Sequence, residues 1–518
     1  TKKIDNTLNV PQDLDNQELQ NFEVGVVNIQ ENENRSPIPY VLPPGIEREI
    51  LRGSTTLQKQ NEQSLTLKVS DLEEEETRAI YKNVAVDLRM YKRLKLFLHA
   101  EGIQGKAELE NGDLKAIIRL GSDLNDNFYQ IEKPLNVSSF DASTSIDVWP
   151  NENNIEAFLE EFGKLKLQRL EEGVPSNQIY PIPIPGEEET FIVRVKGNPN
   201  LSNIKTIMLG VKNISPVPQS AEIWFNELRA AEFDNEGGWA AVVSADANFA
   251  DFADVSVTGR METQGFGGIE QRVNERSQED TKMYDLVTNV NLGQLLPKKW
   301  GIQLPLNYSI AEEVSDPKYD PQYQDVLFDE AKDINPNSDN ARDYTKRRSI
   351  SLMNVRKQRN PESTKKQRFY SVENLSVSGA FNETLHRDYN IQKDIEKNVR
   401  ATAAYNYSFE PKNVEPFKNV KIFDKKYLKF IKDINFNLLP SNISVNSNIF
   451  RNYNEQLSRS LIEGLPELPT LTQRRFMFDW DYNIGYNLTK SLQFNFRASN
   501  NYIYDDFEDS DNVDIFDN

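Results

Sequence analysis

The chain has 518 residues and carries 80 Asp plus Glu against 60 Lys plus Arg, a formal charge of −20. That balance excludes the positive groove that nucleic-acid binding requires, and the absence of cysteine excludes disulfides and thiolate metal sites. No apolar run approaches the roughly 20 residues of a membrane helix, which leaves membrane strands open, because a barrel strand is apolar only at every second position. The chain opens on Thr1 without a basic-then-apolar leader, so it reads as a processed chain or an interior piece.

Three regions differ in texture. Residues 1–80 are polar, with the Pro-rich stretch PIPYVLPPG at 37–45 and the acidic run LEEEE at 72–76. They read as an extended N-terminal arm with short strands, packed on the domain that follows. Residues 81–236 hold short apolar runs bounded by turn residues: NVAVDLRM, LKLFLHAE, LKAIIRLG, NFYQIEKPL, TFIVRVKG, NIKTIMLGVKN and AEIWFNEL. This spacing predicts a β-sandwich, jelly-roll or galactose-binding-like, with one inserted helix over 153–172.

Residues 237–518 change character. In FMFDWDYNIGYNL at 476–488, one face reads Phe476, Phe478, Trp480, Tyr482, Ile484, Tyr486 and Leu488. The other reads Met477, Asp479, Asp481, Asn483, Gly485 and Asn487. This period-two segment exceeds the about 5–6 residues of an ordinary strand and reaches the about 9–11 that cross a bilayer at a tilt. VRATAAYNYSF, SLQFNFRASNNYIY, ENLSVSGAF and GIQLPLNYSI repeat the pattern, with weaker versions at 240–249, 254–262, 284–292, 434–439 and 443–450. Pro305 falls inside one such strand, and RSISLMNVRK at 348–357 reads as a further one. Short and long links are expected on opposite sides, as in outer-membrane barrels.

Alternation alone does not separate a soluble sandwich from a barrel wall. Strand length, aromatic residues near strand ends (Trp239, Trp300, Tyr502) and the link lengths favour the wall. The expectation is therefore all-β: an arm, a sandwich, and an antiparallel transmembrane barrel segment with long loops. Tyr405, Tyr407, Phe478, Trp480, Tyr482, Ile484, Phe494 and Phe496 are expected to face lipid. Asp479, Asp481, Asn483 and Asn495 are expected to line a wet lumen.

The residues that carry chemistry elsewhere are sparse here. His99 and His386 stand in no metal-binding frame. Glu222 and Glu227 flank Trp224 but differ by an odd number, so a regular strand points them to opposite faces; pairing with Arg229 or Lys212 is expected instead. DLNDN at 123–127 begins like a calcium loop, but Phe128 and Pro134 stand where the Gly and the bidentate Glu belong. The acidic tail at 505–514 fails likewise. The basic cluster at 346–368 (Lys346, Arg347, Arg348, Arg356, Lys357, Arg359, Lys365, Lys366, Arg368) reads as a solvated loop or a contact for lipid phosphates. No cofactor, metal or catalytic group is expected, and the chain does not read as an enzyme.

Several segments resemble the SprA/Sov family: PYVLPPGIERE at 39–49, NEQSL at 61–65, YKNVAVDLRMYKRLKLFLHAEG at 81–102 and AEIWFNELRAAEFDNEGGWAA at 221–241. KYDPQYQDV at 318–326, SISLMNVRK at 349–357 and IKDINFNLLPSNISVNSNIFRNYNEQ at 431–456 follow in consistent order. The resemblance implies an interior fragment of a much longer chain that forms a giant barrel in the outer membrane of Bacteroidetes-type bacteria. It implies the translocon of type IX secretion, which exports folded cargo bearing C-terminal signal domains, gliding-motility adhesins included. The implied partners are that cargo, the plug and cargo-shuttle barrel subunits, and outer-membrane lipid. Two other readings remain at this point: a lipopolysaccharide-insertion barrel, which would carry an apolar groove in its soluble domain, and a surface glycan-binding module without a pore.

Overall fold

The computed structural model describes residues 2–4, 11–14, 18, 20–48, 50, 59–181, 191–334, 338–359, 367–410, 412–460, 466, 468–489 and 491–505. The fold is all-β, and among these residues no helix is long and apolar enough to cross a membrane. Two compact units emerge. The first comprises Thr1–Gly237, Gly267–Arg276 and Pro317–Asp339; the second comprises Gly238–Phe266, Ser277–Asp316 and Asn340–Asn518. The first unit thus takes in the stretch expected as an arm.

The first unit is a sandwich. Its strands are β1 (Lys2–Ile4), β2 (Pro11–Asp13), β3 (Phe22–Asn28), β4 (Gln63–Leu72), β5 (Thr77–Val86), β6 (Tyr91–Gly102), β7 (Leu114–Gly121), β8 (Phe128–Pro134), β9 (Ile155–Phe158), β10 (Ile192–Lys196), β11 (Ile204–Asn213) and β12 (Gln219–Phe233). One sheet has the order β10-β8-β7-β11-β5-β1-β2, the other β3-β4-β12-β6-β9. The chain passes between sheets after β2, β4, β5, β6, β8, β9 and β11, as a jelly-roll does. Alternation fills the interior. Leu94, Leu96, Leu98 and Ala100 of β6 meet Leu114, Ala116, Ile118 and Leu120 of β7, with Leu67, Val69, Ile223 and Phe225 beside them. β7 is buried at every position, because Ile117 on its far side joins Ile4, Ala79 and Met208 in a second cluster.

The helix expected over 153–172 begins later, at Leu159, and runs to Glu171; residues 155–158 before it form β9. Leu159, Phe162, Gly163, Lys166 and Leu167 make its buried stripe at helical spacing. A lysine on that stripe needs a partner, and residues 317–334 supply one. This link leaves the second unit in sequence but belongs to the first. Lys166 Nζ lies 2.5 Å from Asp325 Oδ1, Tyr129 OH donates to Asp325 Oδ2 at 2.7 Å, and the Leu201 amide donates to the same oxygen at 2.9 Å. Gly163 permits the approach: a Cβ there would lie 2.9 Å from the Asp325 carbonyl.

The second unit is one sheet whose strands follow chain order. They are β13 (Ala240–Phe249), β14 (Ala253–Glu262), β15 (Glu279–Asn291), β16 (Ile302–Gln303), β17 (Pro305–Pro317), β18 (Asp343–Lys357), β19 (Leu375–Arg387) and β20 (Ile391–Ser408). After a small ladder of β21 (Asn413–Val414) with β22 (Phe436–Asn437) come β23 (Asn442–Ser458), β24 (Leu471–Asn487) and β25 (Gln493–Asp505). The 11-stranded sheet is open, with β13 and β25 at its ends and β16 beside β18.

Three expectations change here. Residues 348–357 form a strand as expected, but 434–439 contribute only β22, which pairs with β21 and not with β23. Long and short links are not segregated: the short Arg387–Ile391 turn shares its end of the sheet with the long link from Pro317 to Asp343. Pro305 does not interrupt a ladder. It is the first residue of β17, opposite a bulge in β18 where Asn354 takes φ 55° and the register shifts between Leu352 and Val355.

Candidate functional site

The second unit presents two unlike faces, and registers decide which side chains share them. Tyr405 stands opposite Val445, and Val445 opposite Tyr482. Tyr407, Ile443, Ile484 and Phe496 form the next row, and Tyr486 with Phe494 the one beyond. Trp480 lies between Ser447 and Asn500, and Phe478 between Ile449 and Tyr502. All eight residues expected to face lipid therefore lie on one face. Asp479 opposes Asn448 and Asn501, Asp481 opposes Asn446 and Ser499, and Asn483 opposes Ser444 and Arg497. Asn495 opposes Gly485, so these four share the other face.

Both faces continue across the sheet. On the apolar side Phe381 meets Val399 and Ile350, Ile350 meets Tyr308, and Leu352 meets Leu306. Beyond β17, the contacts of Ser315 with Thr281 and of Asn307 with Asn289 fix the polar side of β15, so Leu286 lies on the apolar side with Val257 and Ala245. Nothing within the described part of the unit covers this face. Its described buried apolar residues are Ala253 and Ala341 alone, whereas Val243 is 71% exposed and Phe494 56%.

The opposite face is built of small polar side chains in cross-strand hydrogen bonds. Asn307 donates to Asn289 at 2.6 Å, Ser349 to Asn382 at 2.6 Å, and Asn452 to Asn398 at 2.8 Å. Phe450 and Met477 are an apolar exception, and the Arg400 guanidinium lies 5.2 Å from the Phe450 ring.

The apolar face has two different rims. Toward the Arg387–Ile391 turn it ends in ion pairs: Lys346 with Glu312 at 2.6 Å, Arg348 with Glu383 at 2.6 Å, and Lys393 with Glu455 at 2.8 Å. These absorb Lys346 and Arg348 from the predicted basic cluster. Lys365 and Lys366 of that cluster lie outside the described residues. Toward the other rim, tyrosine hydroxyls bond to link backbone: Tyr405 to the Phe369 carbonyl, Tyr407 to Gln367 at 3.2 Å, and Tyr486 to Asn437 at 2.6 Å. Apolar ring and polar tip are thus divided along one side chain.

In the first unit the remaining candidates prove structural. Glu222 faces Arg35 rather than Arg229 or Lys212: Arg35 Nη2 lies 2.8 Å from Glu222 and 2.5 Å from Glu101. Glu227 is the bulge residue of β12, with φ 53° and a register shift between Asn226 and Arg229, and it makes the expected pair with Arg229, at 3.9 Å. His99 is fully buried, its Nδ1 2.7 Å from the Val148 carbonyl. Burial pushes the Glu101 carboxyl up, but hydrogen bonds and charge from His99 and Arg35 outweigh that and hold it below the usual carboxylate range. Around this network Tyr40, Trp149 and Trp224 cluster with no exposed surface, and Trp149 Nε1 donates to the Val41 carbonyl at 2.8 Å. The Pro-rich stretch is thereby strapped onto the sandwich. Asp123 of DLNDN turns inward, accepting from the amides of Asn125, Asp126 and Asn127 at 2.6–3.0 Å. No group of metal-ligating side chains occurs among the described residues, and the acidic tail beyond Asp505 lies outside them.

Two features escaped the sequence reading. Asp325 sits inside KYDPQYQDV, whose Tyr and Val were the only hint of a buried segment. The lysine- and aromatic-rich link over 412–434 carries no strand period, and nothing in its sequence marks it out. Against known proteins, one family model matches residues 3–331, well over half of the chain; its description is motility related/secretion protein. No curated protein matches.

Proposed function

Since the chain belongs to the SprA_N family, described as motility related/secretion protein, we propose that its second unit is an arc of an outer-membrane pore wall that conducts folded proteins out of the cell. The observation that carries this is the uncovered apolar face running across the long strands of the open sheet. Soluble monomers rarely leave a contiguous apolar patch above about 300–600 Å². Lipid is the solvent in which such a face is stable, and a strand-built span in lipid must be closed by further strands so that every backbone amide is paired. The unclosed edges at β13 and β25 are where the wall continues.

In this reading Tyr405, Tyr407, Phe478, Trp480, Tyr482, Ile484, Phe494 and Phe496 meet lipid. Asp479, Asp481, Asn483 and Asn495 hold water in the lumen. A face of Asn, Ser and Thr stays hydrated and gives an exposed hydrophobic patch on passing cargo nothing to adhere to. Conduction is passive: no catalytic residue is assigned, and direction and gating come from partners. Those partners are cargo with C-terminal signal domains, gliding-motility adhesins among them, and the plug and shuttle subunits of type IX secretion.

Two features of the sandwich support this over the alternatives. Lipopolysaccharide guidance calls for an open apolar groove, but the interior is filled by side chains such as Leu96, Leu98, Ile118 and Ile131 at 0–2% exposure. Glycan binding by tryptophan stacking finds no platform, since both tryptophans of the sandwich, Trp149 and Trp224, lie under the Pro-rich strap; its exposed rings among the described residues are Tyr81, Phe140, Phe158, Phe191 and Phe233, at 40–50% exposure. The test is depletion of the full-length protein in its source organism, comparing secreted with periplasmic proteins. The expected result is cargo with C-terminal signal domains trapped in the periplasm while lipopolysaccharide still reaches the surface. Intact secretion with lost lipopolysaccharide would overturn the proposal.

A further inference from the structure

The link between β20 and β23 is a built substructure within an otherwise acidic chain. Its base is closed by the β21–β22 ladder and pinned to the β24–β25 turn: the Asn437 amide donates to the Leu488 carbonyl at 2.9 Å, and its side chain donates to the Asn487 carbonyl at 2.6 Å. Phe417 and Phe423 stack edge to face at 5.5 Å inside it. Its tip holds a turn at Lys421–Asp424 and a short helix at Lys429–Lys432.

What the tip presents is unlike the rest of the surface. Ile422 and Phe430 are each 70% exposed and Tyr427 68%. Lys421, Lys425, Lys426 and Lys429 are exposed among them. Residues 412–434 hold seven lysines against three carboxylates, of which Glu415 is engaged by Lys418 at 2.7 Å and Asp424 by Lys432. The tip is therefore net positive and apolar at once, in a chain of charge −20.

We propose that this link is an interfacial anchor that lies on the membrane surface, with Ile422, Tyr427 and Phe430 in the headgroup boundary and the lysines on lipid phosphates. The proposal rests on the lipid-facing reading of the apolar face. Placement favours lipid over an acidic protein. The link leaves after Ser408 and returns at Asn442, beside the Tyr407–Ile443–Ile484–Phe496 row where the apolar band nears its rim. At that depth apolar side chains interleaved with lysine match the composition of segments that lie in the interface. Each lysine near an anionic leaflet strengthens attachment about fivefold.

The sequence contains no cysteine, so Ile422→Cys gives a unique label site within it. The full-length protein would carry an environment-sensitive dye there and be reconstituted into discs of phosphatidylcholine, with or without phosphatidylglycerol and a lipid-borne quencher. A second preparation would carry the dye at Ile484→Cys. The expected result is quenching at Ile484 in both discs, and at Ile422 a blue shift and quenching that strengthen with phosphatidylglycerol. Replacing Lys421, Lys425, Lys426 and Lys429 by Gln should weaken the Ile422 signal in anionic discs without changing the Ile484 signal. A water-exposed label at Ile422 with a quenched one at Ile484 would overturn the anchor and leave the pore wall standing. An unquenched label at Ile484 would overturn the lipid-facing reading itself. Quenching at Ile422 indifferent to phosphatidylglycerol and to the four substitutions would overturn the phosphate contact.

Discussion

β6 of the sandwich and β24 of the open sheet are written in the same alternating code and come to opposite ends. In β6 Leu94, Leu96 and Leu98 are at most 3% exposed, locked against a second sheet. In β24 and β25 Tyr482, Phe494 and Phe496 are 40–56% exposed, with no second sheet over them. Alternation reports that a strand has two environments, not which they are. Length separates the cases better. β20, β23 and β24 run 18, 17 and 17 residues, beyond the about 9–11 that cross hydrocarbon. The surplus on the apolar face is occupied by ion pairs such as Lys393–Glu455. One unit is held by its own interior; the other has no such interior among its described residues.

The largest expected effect lies in the self-contained unit. Asp325 and Lys166 are almost wholly buried, at 0% and 1% side-chain exposure. Burial pulls Lys166 below the ordinary lysine range, and the Asp325 charge opposes that shift. Asp325→Ala leaves the lysine buried without its counter-charge and should cost about 3–5 kcal/mol. Denaturant unfolding and the rate of proteolysis in the 317–334 link both read it. The double change Lys166→Met with Asp325→Leu should cost less, because it removes both charges together, the remaining loss being that of the Tyr129 hydroxyl and Leu201 amide left without their acceptor.

In the other unit the equivalent test is one of sidedness. Trp480→Arg, midway on β24 between the Lys393–Glu455 rim and the Tyr486 rim, should weaken insertion by about 2–4 kcal/mol. Asp481→Arg, one residue away on the polar face, should be mild. Folding into lipid vesicles across a denaturant series measures both. Equal losses would erase the contrast between the units, since the sheet would then have two equivalent faces.

These residues also mark what was legible in the sequence. Phe476 to Leu488 announced its strand and its faces because both environments of that strand are uniform along its length. β18 is harder to read, since Arg348 belongs to a rim of ion pairs on the apolar face and Arg356 follows a bulge that shifts the register. β4 reads as part of the arm although it lies between β3 and β12 in the five-stranded sheet, because SLTLKVS at 64–70 is short and lies beside an acidic run. The strap was invisible for a different reason. The contacts of Arg35 with Glu101 and Glu222, and of Trp149 with Val41, are made across long stretches of chain, and no local period encodes them. The β21–β22 ladder imitated a membrane strand because Phe436, Leu438 and Leu439 alternate weakly beside a proline.

The strap offers a smaller and pH-dependent test of the first unit. Arg35→Ala removes the cation shared by Glu101 and Glu222 and should cost about 2–3 kcal/mol, as loss of hydrogen bonds to charged groups does. The Glu101 carboxyl is held below its ordinary value in the folded chain. Its contribution is therefore fully present above the usual carboxylate range and is lost as pH falls through the depressed value. Proteolysis within 29–48 should accelerate over that acid window in the unsubstituted protein. In Arg35→Ala the acceleration should already be present at neutral pH, with a shallower pH dependence.

The smallest effect concerns the boundary between the two environments of the sheet. Arg348 and Glu383 are paired at 2.6 Å, with side chains 45% and 25% exposed. If the rim of the apolar face stands in water or among headgroups, this pair is an ordinary surface pair. A double-mutant cycle of Arg348→Ala with Glu383→Ala should then give a coupling below about 1 kcal/mol, reduced further by salt. A coupling of about 3 kcal/mol or more, indifferent to salt, would place the pair in hydrocarbon, where removing one partner strands the other charge. The apolar band would then extend at least two residues further along β18 and β19 toward the Arg387–Ile391 turn. The ion-paired rim would belong to the membrane span rather than to its edge, and the distinction drawn between strand length and span would have to be redrawn around it.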